Sequence, residues 1–290
     1  MPEQIALAEE TAGPRVSAVL VSYNQAEGLR RAIQALERSR DREKLEILVV
    51  DCGSQDDSSR LDSEFPAINM LRLPHHFGAT KAMNIATRTA KADLIFFQFP
   101  SVEVQPDTIP KLAAALEEDT EATAACPLLL DPGGQPVSKF ARIPAPGIID
   151  AVAPSPDLTQ DSVVVEYPGL QALLVRKQFI RGMNYFDERH FGHYRADADL
   201  AMQSRRAGKK IRLYPSIHAT LHPEADPLEG DPLAEADRTL GAAAFLGKYY
   251  GFFTGLNFRL TSIFKALGRF DFRLVGYLVR GQKLDGSQSG

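Results

Sequence analysis

Apolar residues along this chain group into runs with two alternating periods. Residues 16–21, VSAVLV, and 46–50, EILVV, are compact and β-branched, the pattern of strands covered on both faces. Between them the turn Ser22-Tyr23-Asn24-Gln25 leads into a segment where Leu29, Ile33 and Leu36 recur at helical spacing. The alternation continues with a third strand over 68–73, a helix of small residues over 78–90, a fourth strand over 92–97, and a helix over 108–118 that turns Ile109, Leu112 and Leu116 inward. Strands and helices at this pitch predict a mostly parallel central sheet with helices on both faces. Ligands of such sheets lie outside the carboxyl ends of the strands, where Tyr23, Asn24 and Asp51 fall.

After Leu128 the pattern breaks. Asp131-Pro132-Gly133-Gly134 predicts a tight turn, and the proline-rich stretch over 144–156 an irregular insertion. Strand character resumes over 163–167 and 170–175, a helix over 197–207 is stopped by Gly208, and a short last strand is expected over 211–214. Residues 233–250 read as a further helix. Residues 1–14 carry acids and no apolar core, which predicts a disordered leader rather than a signal peptide or a membrane span. Residues 251–290 form a C-terminal extension.

Composition changes this picture little until charge is resolved along the chain. Over 290 residues, 44% hydrophobic and 24% charged content is that of an ordinary globular protein. The cysteines, Cys52 and Cys126, stand outside any CxxC spacing, which argues against a disulfide framework or a zinc site and for a reducing, cytoplasmic compartment. The net charge of −4 conceals a split: residues 246–290 hold seven Lys or Arg against Asp271 and Asp285, a balance of +5 that leaves −9 on the rest. That tail also gathers Tyr249, Tyr250, Phe252, Phe253, Phe258, Phe264, Phe270, Phe272 and Tyr277. An acidic body argues against nucleic acid as a partner. A basic aromatic tail without an apolar run of about eighteen residues does not span a bilayer; it suits either peripheral membrane contact through residues 246–283 or packing against the body or a second subunit.

The run Ile47-Leu48-Val49-Val50 ends on the carboxylate of Asp51, and a charge at the edge of a buried strand needs a partner. Either Asp51 accepts the amides of Gly53 or Ser54 in an Asx turn, or it faces a ligand. No GxGxxG follows the first strand, which disfavours a nicotinamide-dependent oxidoreductase.

Four blocks in order, VSAVLVSYN, ILVVDCGSQDDS, HHFGATKAMNIATRTAKADLIFF and NYFDERHFGHYRADADLAMQSRRAGKKI, resemble family 2 glycosyltransferases of GT-A fold, nearest to bacterial rhamnosyltransferase-like members. The resemblance implies one α/β domain over 15–250, with a nucleotide-binding half over 15–107 and an acceptor half over 108–250. It also implies inverting transfer of a sugar from a UDP- or dTDP-sugar to a glycan or lipid-linked acceptor, as in building cell-envelope polysaccharide at the inner face of the membrane. In similar enzymes the residues matching Val21, Tyr23, Asn24 and Asp51 line base and ribose, and those matching Gly78 and Lys81 lie beside the diphosphate. A carboxylate in the position of Asp51 accepts a pyrimidine N3–H.

The resemblance further assigns the general base to Asp197, in the stretch Ala196-Asp197-Ala198-Asp199, with Asp199, His193 and Arg195 in the acceptor region. His222 matches a histidine near metal or diphosphate. Two departures stand out. Ala196 replaces the first acid of the pair that opens the helix, and Ser101 stands where the family places the carboxylate that ligates a divalent cation, Mg or Mn. Three outcomes are compatible with Ser101: leaving-group charge handled by protein cations such as Lys81, Arg195 or His222; a metal held through Glu103; or a non-catalytic nucleotide-sugar or glycan binding protein on the same scaffold. A lone lysine, a histidine beside a proline, or acids in a first helical turn each have ordinary structural explanations as well.

Overall fold

The computed structural model describes residues 13–286, so the leader expected over 1–14 lies almost wholly outside the described residues. The first strand, β1 (Val16–Ser22), passes through α1 (Ala26–Glu37) to β2 (Leu45–Asp51). A 3-10 segment leads to β3 (Asn69–Arg72), and α2 (Ala79–Thr89) returns the chain to β4 (Leu94–Gln98) on the other side of β1. These four strands are parallel in the order β3-β2-β1-β4. Strand order therefore reverses at β1, where open α/β sheets leave a crevice for ligands.

The second half continues through β5 (Val102–Val104), α3 (Thr108–Glu118), β6 (Ala122–Leu130), β7 (Val163–Val165), β8 (Ala172–Arg176), α4 (Lys177–Gly182), α5 (Ala196–Arg206) and β9 (Lys210–Leu221). The sheet extends as β4-β8-β6-β9-β5, with β7 also on β9, and its joins beyond β4 are antiparallel apart from β6 with β9. Residues 131–162 hold turns and isolated bridges, Ala141 pairing with both Val152 and Tyr167. The last strand corrects the expectation over 211–214: it runs twelve residues, to Leu221. Its register with β6 jumps between Pro127 and Leu128, whose partners are Tyr214 and His218, so Pro215 falls in the irregularity. A proline has no N–H for the ladder, and a bulge is where a sheet tolerates it.

Alternation along the strands divides the core. Ala18, Leu20, Ile47, Val49 and Phe96 face α1 and α3 through Leu29, Ile33, Leu36, Ile109 and Leu112. Val19, Leu48, Val50, Ile95 and Phe97 face Ala82, Met83 and Ala86 of α2, together with α5 and Phe245. This is period-two side-chain geometry with both faces covered. Beyond the sheet, α6 (Pro232–Tyr250), α7 (Phe252–Gly268) and α8 (Phe272–Arg280) pack on one another around Ala236, Ala266, Leu274 and Leu278.

Candidate active site

A crevice of about 1120 Å³ opens at the carboxyl ends of β1 and β4. One side is formed by Val21, Ser22 and Tyr23 and by Phe99-Pro100-Ser101 after β4; the other by Tyr167–Gln171, by His193–Asp197 entering α5, and by His222–Leu228 after β9. The insertion closes over it with Lys139–Ala141 and Ile149–Val152. A second hollow of about 540 Å³ lies behind the insertion, where Arg205 is paired with Glu166 at 2.9 Å. The larger crevice is the candidate site because it combines concave apolar walls with convergent ionisable groups.

Asp197 opens α5 on the crevice wall, its Oδ1 accepting the Ala198 N–H at 2.8 Å. Burial pushes its carboxyl above the ordinary range, against the opposing pull of a hydrogen bond from the Tyr167 hydroxyl, the Ala198 amide and the nearby Arg195. A carboxylate so placed is a better proton acceptor than a solvated one. Arg195, in the left-handed region at φ 78°, reaches across to Asp150 of the insertion at 2.5 Å. His193 lies beside it, its N–H held by Asp237 at 2.8 Å. Burial, reinforced by His76 and Arg238, pushes the His193 imidazole down to about 3, so it is neutral at any ordinary pH.

Other residues named from the sequence lie elsewhere. Asp199, 1% exposed, is spent on Lys248 at 2.9 Å and on the Tyr249 hydroxyl at 2.6 Å, clamping α6 to α5 outside the crevice. Asn24 sits in the left-handed region and holds the following loop: its Oδ1 accepts the Gln55 N–H at 2.7 Å, and its own N–H donates to Ser54 Oγ. Gly78, at φ 81°, is required by close packing, since a Cβ there would stand 2.3 Å from the Leu284 carbonyl and 2.5 Å from that of Gly192. The start of α2 is occupied as well, the Thr80 N–H donating to Gly192 O at 3.0 Å. Lys81 lies over the Phe77 ring at 4.1 Å and is not on the crevice wall.

Of the two alternatives the sequence leaves for Asp51, the structure shows the Asx turn, with the side chain buried and not itself on the crevice wall. Asp51 is 2% exposed, and its Oδ2 accepts the Ser54 N–H at 3.2 Å. Its Oδ1 is buried with no partner, and so is the Oγ of Ser22, its neighbour in strand register. These two unpartnered polar atoms stand at paired strand ends, one of them on Ser22, which lines the crevice, and a buried polar atom without a partner calls for an explanation.

The residues present do not fit a protein-held divalent cation. At the β4–β5 turn Ser101 offers a hydroxyl, and its carbonyl is taken by the His222 N–H at 2.9 Å. Both oxygens of Glu103 are engaged, one by Arg38 at 3.1 Å and the other by His222 Nε2 at 2.8 Å. Among the described residues no three of His, Cys, Asp and Glu converge on one point. The crevice instead holds cations of its own, Lys139, Arg195 and Arg238.

Reading the sequence alone misses His76, Tyr167, Asp150 and Arg238. His76 packs edge-on against Tyr23 at 4.6 Å and sits 5.3 Å from His193, with its Nε2 unpartnered. It lies inside the block that carried the resemblance, and its neighbour Gly78 could have drawn attention to it. No signal distinguishes Tyr167 or Asp150, which reach the site from the irregular half.

The family model described as Glycosyl transferase family 2 matches residues 17–142, the stretch from β1 through β6 and into the insertion. Two uncharacterized glycosyltransferases of Mycobacterium tuberculosis, one from each of two strains, are each 30% identical over 108 residues, covering 37% of this chain. That match spans 41% of the relatives' own length. Among solved structures, GalNAc-T7 with UDP, GalNAc and Mn²⁺ superposes with a TM-score of 0.62 at 14% identity, over 73% of this chain and 44% of that one. TarS residues 1–349 of S. aureus in complex with UDP-GlcNAc gives 0.61 at 14% identity, over 80% and 66%. At identities this low the likeness shows the fold, which is GT-A, while the match to the family 2 glycosyltransferase model spans residues 17–142, less than half of the chain.

Proposed function

We propose that the family 2 domain and the acceptor half together move a sugar from a nucleotide diphosphate to an acceptor hydroxyl with inversion, Asp197 serving as general base. The observation that carries this reading is Asp197 itself, a carboxylate of raised pKa on the wall of the crevice at the switch point of the sheet. Asp197 takes the proton of the acceptor hydroxyl as that oxygen attacks the anomeric carbon. The bond to the diphosphate breaks on the opposite face, and the nucleoside diphosphate leaves with the electron pair. Tyr167 and the Ala198 amide hold the carboxylate in place through the transfer. No step is routed through a metal, because Glu103 is committed to Arg38 and His222. Lys139, and Arg238 where it lies over the Tyr194 ring at 4.5 Å, are crevice cations without a carboxylate partner among the described residues, and these meet the leaving phosphates.

For the nucleotide, the paired orphans favour a pyrimidine imide edge: Asp51 Oδ1 accepts the ring N–H while the Ser22 hydroxyl donates to an adjacent carbonyl. This reading places the base against Tyr23 and His76. UDP and dTDP both present that edge, and a lipid-linked or glycan acceptor is the class compatible with the open acceptor side.

Calorimetric titration with UDP- and dTDP-sugars, with Mn²⁺ and with chelator, tests the donor. Equal affinity in both conditions, lost in Asp51→Ala, is the expected result; no nucleotide binding in either condition rejects the proposal. Asp197→Asn then isolates the chemistry, and turnover is expected to fall by about a thousandfold with donor affinity kept. A second reading, a binding protein without turnover, is favoured by Ser101 and Ala196 standing where the resemblance expects acids. Wild-type protein that binds donor and transfers to no acceptor would establish that reading.

A further inference from the structure

The α7–α8 end carries an apolar stripe that nothing in the described chain covers. On α7, Phe253, Leu260, Phe264 and Leu267 are all exposed, and their spacing of seven, four and three residues sets them on one face of the helix. Phe270 and Phe272 prolong the stripe at the turn into α8. Phe253 is 80% exposed and Phe270 77%. The opposite faces of these helices are already packed, through Ala266, Leu274 and Leu278 against Ala236, so the stripe is a second face rather than a core left open. A contiguous surface of large apolar side chains on a folded domain marks an interaction site.

Charge identifies the occupant. Between Tyr250 and Leu284 the sole acid is Asp271, which is spent capping α8 by accepting the Leu274 N–H at 3.0 Å. Lys265 and Arg273 are exposed beside the stripe, Arg280 is exposed at the end of α8, and none of the three has a partner among the described residues. The body carries −9 against +5 for residues 246–290, so an anionic surface attracts this end and repels the rest. A two-fold contact between copies through this face would bring the same unpaired cations together, which disfavours it. No described helix is long and apolar enough to cross a membrane.

We propose that α7 and α8 dock on the surface of an anionic lipid bilayer, the phenylalanines entering the boundary between headgroups and acyl chains and Lys265, Arg273 and Arg280 meeting lipid phosphates. Docking does not depend on what the crevice does, so Asp197→Asn protein is expected to bind vesicles as the wild type does.

Flotation of the full chain with phosphatidylcholine vesicles, with and without phosphatidylglycerol, is the test. Binding to the anionic vesicles is expected to exceed binding to the neutral ones by about tenfold and to weaken as salt rises. Phe253→Ser combined with Phe264→Ser is expected to lower it by about tenfold or more, with the melting temperature unchanged because both side chains lie outside the packed faces. Lys265→Gln with Arg273→Gln and Arg280→Gln is expected to abolish the lipid preference. Absence of vesicle binding, or binding that ignores both sets of variants, overturns the proposal. A wild-type dimer that Phe253→Ser converts to monomer, without vesicle binding, overturns it in favour of a second copy.

Discussion

Two carboxylates near the crevice, half-buried Asp197 and buried Asp237, are set apart by their surroundings, and each has a pH signature. Asp197 has its pKa raised by burial, so it stays protonated, and idle as a base, to a higher pH than a solvated aspartate. The acidic limb of the kcat profile is therefore expected above the ordinary carboxylate range. Tyr167 donates to the ionised form and holds the pKa down, so Tyr167→Phe is expected to move that limb further up while leaving the plateau within about tenfold. A limb that stays in place would remove Tyr167 from the site. Asp237 is a different case. Its oxygens accept the amides of His193, Tyr194 and Leu284 at 2.8, 3.0 and 3.2 Å, yet burial outweighs them and pushes its carboxyl up to about 6. A folded pKa above the unfolded value of about 4 means stability fully present below that value and lost as pH rises through about 6. The shift corresponds to about 3 kcal/mol. In urea unfolding between pH 4 and 7, Asp237→Asn is expected to remove a decline of that size, even though the amide it introduces faces the Leu284 N–H and lowers stability at every pH.

At the scale of elements, the tail is joined to the body by close backbone contact. A Cβ on Gly255 of α7 would stand 2.4 Å from the Ala243 carbonyl and 2.8 Å from the Gly247 nitrogen of α6. Gly255→Ala gains about 1 kcal/mol in helix propensity, while overpacking costs about 1–3 kcal/mol. Backbone cannot turn aside as a side chain can, so the cost wins. The variant is expected to lose about 1–2 kcal/mol and to expose Arg259 and Lys265 to trypsin faster than the wild type does. The parallel half was legible in the sequence because each of its elements announces itself locally. The β-branched runs ending at Ser22 and Asp51, and the helical spacing of Leu29, Ile33 and Leu36, each state their structure within a few residues. The antiparallel half was not. In β6 the run ATAACPLLL has no period, and β9 continues through Pro215, a residue that locally argues against a strand. What makes both into strands is pairing between segments some ninety residues apart, which no local pattern encodes. The site divides in the same way. The place of Asp197 at the opening of a helix was legible from its block, and the Asx turn of Asp51 was one of two local alternatives, whereas the commitment of Glu103 to His222, 119 residues on, is a tertiary fact.

Across the whole molecule, the end of the described chain runs back from the exposed helices to the crevice. After α8, Lys283 Nζ donates to the carbonyls of Glu188 and Arg189, the nearer at 2.5 Å. Leu284 donates its N–H to Asp237 and buries its side chain among Leu228, Ala234, Tyr194 and Tyr23. Its carbonyl lies against Gly78, and Gly286 lies against the Phe77 ring. This strap therefore backs Tyr23 and the 76–78 loop, the wall on which the nucleotide base is proposed to rest. Leu284→Ala removes a side chain that is 6% exposed and belongs to a small cluster, which places its cost near the lower end of leucine truncations, about 2 kcal/mol. If the strap braces the base site, the same variant weakens donor affinity by about 1 kcal/mol, roughly fivefold in Kd, as Tyr23 loses its support. Vesicle binding is expected to be unchanged, because the face formed by Phe253 and Phe264 is untouched. Calorimetry with the donor, beside a urea melt of the same sample, separates the two effects: lower stability with unaltered Kd would leave the strap a structural staple with no hold on the site.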